Sequence, residues 1–256
     1  MRYGSSAPSD FPDLAPFLGH RSIRAYSDKP IGEDLVSALV ASAQSAATSS
    51  SLQLWTVVSV QDPDRRNAIA KLCANYDHVR KAPWFLCFIA DHYRLKRAAA
   101  RVGEDAAGLP YAEFFTMAVV DASLAAERLV CAAESVGLGI CHIGALRDRV
   151  VEVKDLLGLP VGTFGLFGLC IGWPAEHLTA AIKPRLGQGA IWHRERYDLA
   201  VDVAEYDERM RTFYESEKMK GEVTWSMRSS RRVDEHHMTG RETLLGWLQG
   251  QGFLRY

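Results

Sequence analysis

Two segments, Trp84–Ala90 (WFLCFIA) and Thr163–Ile171 (TFGLFGLCI), are apolar at almost every position. A strand with water on one face alternates polar and apolar residues, so short runs without alternation read as strands covered on both faces. Whatever this chain folds into must supply helices for both sides of a sheet. The rest of the sequence offers them. Leu35, Leu39, Val40 and Ala43 recur at helical spacing and predict a helix over 33–47. A DPD cap signal opens another over 62–73. Tyr111–Val136 is long and rich in alanine, which permits close helix packing, and ends at Gly137. A shorter helix over 150–157 closes at Gly158. Leu54–Val60 is short and β-branched, hence a strand. Gly139–Gly144 reads as a short strand or turn, and Pro174 breaks the chain after the second apolar run. This alternation predicts an α/β or α+β fold with a covered sheet.

At 256 residues the chain is long enough for one large domain with an extension. The extension is visible as a change of character. Arg194–Tyr256 is rich in arginine, glutamate and aromatics, with helix-like stretches over 205–216 and 240–249. Tyr206, Phe213, Tyr214, Trp225, Trp247 and Phe253 cannot all sit in water cheaply. A long arm packed on a partner subunit accounts for them. The expected division is a core over 13–200 and a C-terminal excursion over 201–256. Residues 1–12 read as a loose leader, followed by a short helical turn over 13–18.

Charge and cysteine usage exclude several classes. Lys plus Arg (30) nearly balance Asp plus Glu (31), which gives no electrostatic case for nucleic acid or a polybasic membrane surface. No apolar run approaches about 20 residues, and the N-terminus has no apolar signal region. The five cysteines (Cys73, Cys87, Cys131, Cys141, Cys170) are odd in number and form no CxxC pair. They fit a reducing cytoplasm, and the four of them in apolar context read as small buried hydrophobes. Cys141 adjoins one of the segments below without the marks of a nucleophile. His236-His237 lacks a second ligand cluster, so no metal site is expected. No GxSxG, P-loop or internal repeat is present.

Four short segments carry polar chemistry. His20-Arg21-Ser22-Ile23-Arg24 packs two guanidiniums, a hydroxyl and an imidazole into five residues. Such a donor set suits a phosphate, and equally a solvated basic patch. In Lys183-Pro184-Arg185 the proline favours extended backbone, in which residues two apart point the same way and could converge on one anion. A plain surface loop is the other reading. Thr48-Ser49-Ser50-Ser51-Leu52-Gln53 either stops the preceding helix or recognises a polar ring edge. Gly137–Arg147 (GLGICHIGALR) has glycines that let backbone approach a flat ligand. It follows a helix and holds no complete GxGxxG, so it is no dinucleotide fingerprint and can also be an ordinary helix-to-strand turn.

Taken in order, HRSIR, TSSSLQ, AAESVGLGICHIGALR, LFGLCIGWPA and KPRL resemble the nitroreductase superfamily, most closely its oxygen-insensitive NADPH nitroreductase and FMN reductase group. The similarity spans roughly Phe17 to Tyr214. It implies an α+β fold: a nitroreductase-like mixed sheet flanked by helices, in an interlocked homodimer with FMN at the dimer interface. It implies an NAD(P)H-dependent enzyme that passes hydride through FMN to nitroaromatics, quinones or free flavin by a ping-pong mechanism. It further implies that His20 and Ser22, with Lys183 and Arg185, hold the FMN phosphate, and that Arg21 lies between them. Arg24 would reach the N1/O2 edge of the flavin. Ser49, Ser50 and Gln53, from the partner subunit, would line the ring, and Tyr76 would stand at its pyrimidine edge. Ile143 and the backbone amides of Gly144 and Ala145 would face flavin N5. No side-chain acid or base is then needed, because the cofactor carries the redox chemistry.

The chain departs from the group at three places. Gly144-Ala145 replaces a favoured Gly-Gly, and a left-handed requirement at Ala145 would cost roughly 1 kcal/mol or more. Tyr76 replaces a glutamine. Ser216 and Gly221 stand where the group has arginines for the NADPH 2′-phosphate. Lys218 and Lys220 are the substitutes within reach, which leaves NADPH or NADH as donor. Two other readings stay open: an FMN-holding redox sensor or flavin carrier without significant turnover, and an unrelated anion-binding scaffold.

Overall fold

In the computed structural model, residues 2–3, 14–177, 180–221 and 223–256 are described. Most of the leader over 1–12, and Asp13, lie outside the described residues. The two apolar runs form the central strands, β2 (Trp84–Asp91) and β4 (Thr163–Gly172), which pair antiparallel. β1 (Trp55–Ser59) flanks β2 and β3 (Gly139–Ile143) flanks β4, giving the order β1-β2-β4-β3. The named strands all pair antiparallel; the parallel element is a single bridge between Ser22 and Ile140. The register slips by one residue after Phe88↔Phe167, so that Ile89 faces Gly165.

The lack of alternation in β2 has the predicted cause. Leu86, Phe88 and Ala90 belong to one buried cluster, and Phe85, Cys87 and Ile89 to another. Adjacent strand residues point to opposite faces, so both faces of the sheet are dry. The first cluster is roofed by α2 (Glu33–Gln44) and α6 (Ala112–Ser135). On α6 five of the eight buried residues, Ala118, Ala122, Ala125, Ala126 and Ala133, are alanine, which lets that helix come close to the sheet and to α2. The second cluster is covered by α3 (Pro63–Leu72), α4 (Asp77–Lys81) and α7 (Val150–Leu157). α3 opens as read: Asp62 accepts a hydrogen bond from the Arg65 amide at 2.9 Å, and Pro63 takes the first helical position. α7 ends on left-handed Gly158. A helix the sequence did not announce, α5 (Tyr93–Arg101), buries no residue.

Three glycines are slots for large side chains. A Cβ on Gly168 would lie 2.3 Å from the Phe85 ring, and one on Gly172 would lie 2.4 Å from the Tyr26 ring. A Cβ on Gly139 would lie 2.5 Å from Ile23. The close approach expected at Gly139 is thus taken up by the chain's own Ile23.

The chain divides into two units. The larger comprises Ser22–Leu178 and Gly240–Tyr256; the smaller comprises Met1–Arg21 and Thr179–Thr239. Neither boundary falls at 200, and the last residues belong to the larger unit. There Trp247 and Leu248 on α10 (Leu244–Gly250), together with Phe253, join the main core, with Phe253 wholly buried. In the smaller unit α8 (Ala204–Ser216) and α9 (Trp225–Arg232) follow a short α1 (Ala15–Leu18). Tyr206, Met210 and Tyr214 form a small core with Leu186, Phe213 and Trp225 against it. Of the aromatics read as an arm, Tyr206, Tyr214 and Phe253 are buried in their own chain, and Phe213, Trp225 and Trp247 are partly buried. No helix among the described residues is long and apolar enough to cross a membrane.

Candidate functional site

In the larger unit, three stretches distant in sequence meet at β3. Ser22 bridges Ile140, and the Ile23 amide donates to the Ile140 carbonyl at 2.8 Å. Ile23 is buried in the Gly139 slot, which sends its exposed neighbour Arg24 the other way. The Arg24 guanidinium is close enough to the Cys141 sulfur and to His78 to affect the ionisation of both. Burial pushes the Cys141 thiol up, and Arg24 opposes that shift. Burial and then the Arg24 charge pull His78 below the usual imidazole value, against Asp77.

His78 in turn stacks on Tyr76, ring centres 5.0 Å apart. Tyr76 is exposed and stands just after two left-handed residues, Ala74 (φ 54) and Asn75 (φ 59). Arg80 braces that reversal. It donates to the Asn75 carbonyl at 3.2 Å, to Asp77 at 3.0 Å and to Asn67 at 2.8 Å. Arg24, Cys141, His78 and Tyr76 are thus gathered in one neighbourhood. His78 is the member the sequence reading missed.

Downstream of Ile143, Gly144–Arg147 turns as one 3-10 segment. Ala145 does not have a positive φ, so the expected backbone penalty for replacing glycine does not arise. At Gly144 a Cβ would meet only the Arg147 guanidinium, at 3.5 Å, leaving this ledge open. The amides that open such a turn have no acceptor within it. A residue from far along the chain completes the turn: Arg241 donates to the Gly144 carbonyl at 3.1 Å and to the Asp148 carboxylate at 2.7 Å.

The hydroxyl segment is more than a helix stop. α2 ends at Gln44, and Ser49–Ser51 form a separate turn in which Ser50 (φ 50), Ser51 (φ 56) and then Gln53 (φ 53) are left-handed. For residues with a Cβ this costs roughly 1 kcal/mol or more each, and it persists only where the surroundings over-determine it. Asp121, fully buried on α6, accepts from the amides of Ser49 (2.8 Å) and Leu54 (3.1 Å). Arg94, paired with Asp91 at 3.0 Å, donates to the carbonyls of Gln53 (3.1 Å) and Trp55 (2.9 Å). The side chains of Ser50 and Gln53 remain exposed.

The smaller unit carries His20, Arg21, Lys183, Arg185, Lys218 and Lys220. Lys183 lies 6.0 Å over the Phe213 ring, whereas Arg185 turns back on the carbonyls of Lys183 (3.4 Å) and Pro184 (3.3 Å). The two side chains engage different groups instead of pointing alike. Tyr206 fixes the loop by donating to the Pro184 carbonyl at 3.2 Å. Lys218 (φ 52) and Lys220 are exposed in the reversal that follows α8. Arg228 braces it, donating to the Lys220 carbonyl at 2.8 Å while lying 4.4 Å over the Tyr214 ring.

Fold and residues together define the class of protein. Residues 18–173 match the model of the Nitroreductase family, and residues 183–256 match that family's C-terminal domain. The chain belongs to the nitroreductase family. It is 37% identical over 220 residues to FMN reductase (NADPH) of Bacillus subtilis, covering 83% of this chain and 88% of the relative. It is 33% identical to the oxygen-insensitive NADPH nitroreductase of Salmonella typhimurium, covering 94% of this chain and 98% of the relative. The solved structure of NADPH:FMN oxidoreductase from Vibrio harveyi complexed with NAD+ superposes with a TM-score of 0.83 at 28% identity, covering 95% and 99%.

Proposed function

We propose that the chain is an FMN-dependent oxidoreductase that takes hydride from NAD(P)H and delivers it, by a ping-pong mechanism, to nitroaromatics, quinones or free flavin. The observation that carries the reading is an exposed Arg24 beside β3 together with the Gly144–Ala145 turn that follows that strand, in a chain matched along both parts by nitroreductase models. That donor set fits FMN: a guanidinium for the electron-accepting edge, backbone amides for N5, and aromatic and hydroxyl groups for the ring. FMN, when bound, supplies the redox chemistry.

The protein's own part is binding and electrostatics. His20, Lys183 and Arg185 in the smaller unit, and Ser22 in the larger, are assigned to the phosphate, with Arg21 between His20 and Ser22 along the chain. A buried phosphate dianion requires such charge-assisted contacts. Arg24 is assigned to the N1/O2 edge, where a fixed positive charge favours the negative charge that reduction adds. Tyr76 is assigned to the pyrimidine edge, and Ile143, Gly144 and Ala145 to N5. Ser49, Ser50 and Gln53 serve the partner's ring in a homodimer.

The test is direct. Protein purified with FMN should be yellow, absorb near 450 nm and oxidise NAD(P)H catalytically with a nitroaromatic acceptor. Stoichiometric reduction without turnover would support a sensor or carrier instead. Lys183→Ala and Arg185→Ala should each weaken FMN retention, since a charge-assisted contact is worth about 1.5–3 kcal/mol. Unchanged retention in both would remove these residues from the phosphate.

A further inference from the structure

Arg241 stands far from every motif in the sequence, yet its guanidinium ends on the turn that opens the proposed N5 ledge. It is half-buried and makes two different contacts there. Nε donates to the Asp148 carboxylate at 2.7 Å, and Nη2 donates to the Gly144 carbonyl at 3.1 Å while lying 2.6 Å from the same carboxylate. Backbone geometry delivers it. Thr239 (φ 55) and Gly240 (φ 87) are both left-handed, and a Cβ on Gly240 would come within 3.0 Å of the Asp148 carbonyl. Only glycine lets the chain run this close to the turn. Asp148 closes the clamp, its own amide donating to the Ala145 carbonyl at 3.0 Å.

The consequence follows from the planarity of one peptide bond. The Gly144 carbonyl and the Ala145 N–H belong to the same trans peptide unit and point in opposite directions. A guanidinium that captures the carbonyl fixes the direction of the N–H.

We propose that Arg241 is a positioning residue: by holding the Gly144 carbonyl, it aims the Ala145 amide at flavin N5, and Asp148 holds Arg241 in place. The assignment rests on the FMN reading above. It touches neither the phosphate contacts nor the Arg24 edge, so FMN retention and amide alignment are separable properties.

The experiment follows the Ala145 amide by 1H–15N NMR as FMN is added to wild type, Arg241→Met, Arg241→Lys and Asp148→Asn. The midpoint potential of the bound flavin is measured on the same samples. In wild type the Ala145 resonance shifts on saturation with FMN. Arg241→Met retains FMN but loses that shift, and its potential is displaced. Arg241→Lys keeps the charge but offers one compact donor in place of a fork, so it restores part of both readouts. Asp148→Asn gives a smaller loss than Arg241→Met. If Arg241→Met does not fold, Arg241→Lys decides. A folded, FMN-loaded Arg241 variant with the wild-type Ala145 shift and the wild-type potential overturns the proposal while the FMN reading stands. Wild-type protein that binds no FMN overturns both.

Discussion

The carboxylate of Asp121 receives the amide of Ser49 at 2.8 Å from the middle of a helix whose neighbouring buried positions are all alanine or other apolar residues. Its second oxygen takes the Leu54 amide at 3.1 Å, so one buried charge brackets the whole left-handed segment. Replacing Asp121 with alanine should cost about 3 kcal/mol, because two buried amides lose a charged acceptor. Urea unfolding measures this. A loss below roughly 0.5 kcal/mol would mean that the segment holds its shape by other means. FMN affinity should fall as well, since Ser49, Ser50 and Gln53 are carried by that segment.

Arg24 is exposed beside Cys141 and His78, close enough to act on the ionisation of both. Arg24→Ala should lower the rate of flavin reduction roughly 100-fold, the scale of losing one preorganised donor. Arg24→Lys should recover only part of it, lacking the planar fork. Single-turnover kinetics with NAD(P)H is the measurement, and an unchanged rate would exclude Arg24 from the reducing edge.

Donor preference should reside in the reversal after α8. Neutralising Lys218 and Lys220 together should raise the KM for NADPH about tenfold, the worth of one charge-assisted contact, and leave that for NADH unchanged. Equal effects on both would remove the 2′-phosphate assignment. Arg228→Ala provides a separate check, because it loosens the Lys220 carbonyl without removing either lysine.

Acid stability should depend on His92. Its ring is buried against Phe253 at 4.5 Å, and Nε2 lies 3.0 Å from the Phe114 carbonyl. Burial pulls its pKa below the usual imidazole value, with the Phe114 carbonyl and Asp91 opposing. The unfolded chain therefore binds this proton first as pH falls. The stabilisation is complete above the unfolded value near 6.5 and is lost as pH drops toward the folded one. His92→Gln should flatten the decline in unfolding free energy as pH falls below about 6.5. An identical slope in the variant would place the acid sensitivity elsewhere.

Arg66 offers a test of the second cluster. It is buried on α3 and donates to the carbonyls of Val60 (2.6 Å) and Ala82 (2.5 Å). Arg66→Met should destabilise by about 3 kcal/mol, since both carbonyls would be stranded. Thermal unfolding checks this, and a neutral outcome would mean that water replaces the guanidinium.

The strands and the helices of the larger unit were legible because their apolar residues repeat with the period of the element that buries them. α4, α5 and α9 were not: α4 is only five residues long, and α5 and α9 are dominated by arginine with small or polar residues and bury none of them. The polar site was partly legible as composition: Arg24 and Tyr76 could be named, but not the Cys141 and His78 contacts that join them. Asp121 did leave a signal. It shares a helical face with Ala118, Ala122 and Ala125, where a carboxylate demands a partner. Arg241 left none, because its role depends on a return of the chain that no local pattern encodes.

That return also has a consequence for synthesis. The larger unit is interrupted by the whole of Thr179–Thr239 and is sealed by Phe253. On the ribosome its sheet and main helices emerge long before the last piece of their interior. Until Phe253 clears the exit tunnel, the nascent protein carries an unsealed apolar surface, the kind that chaperones bind.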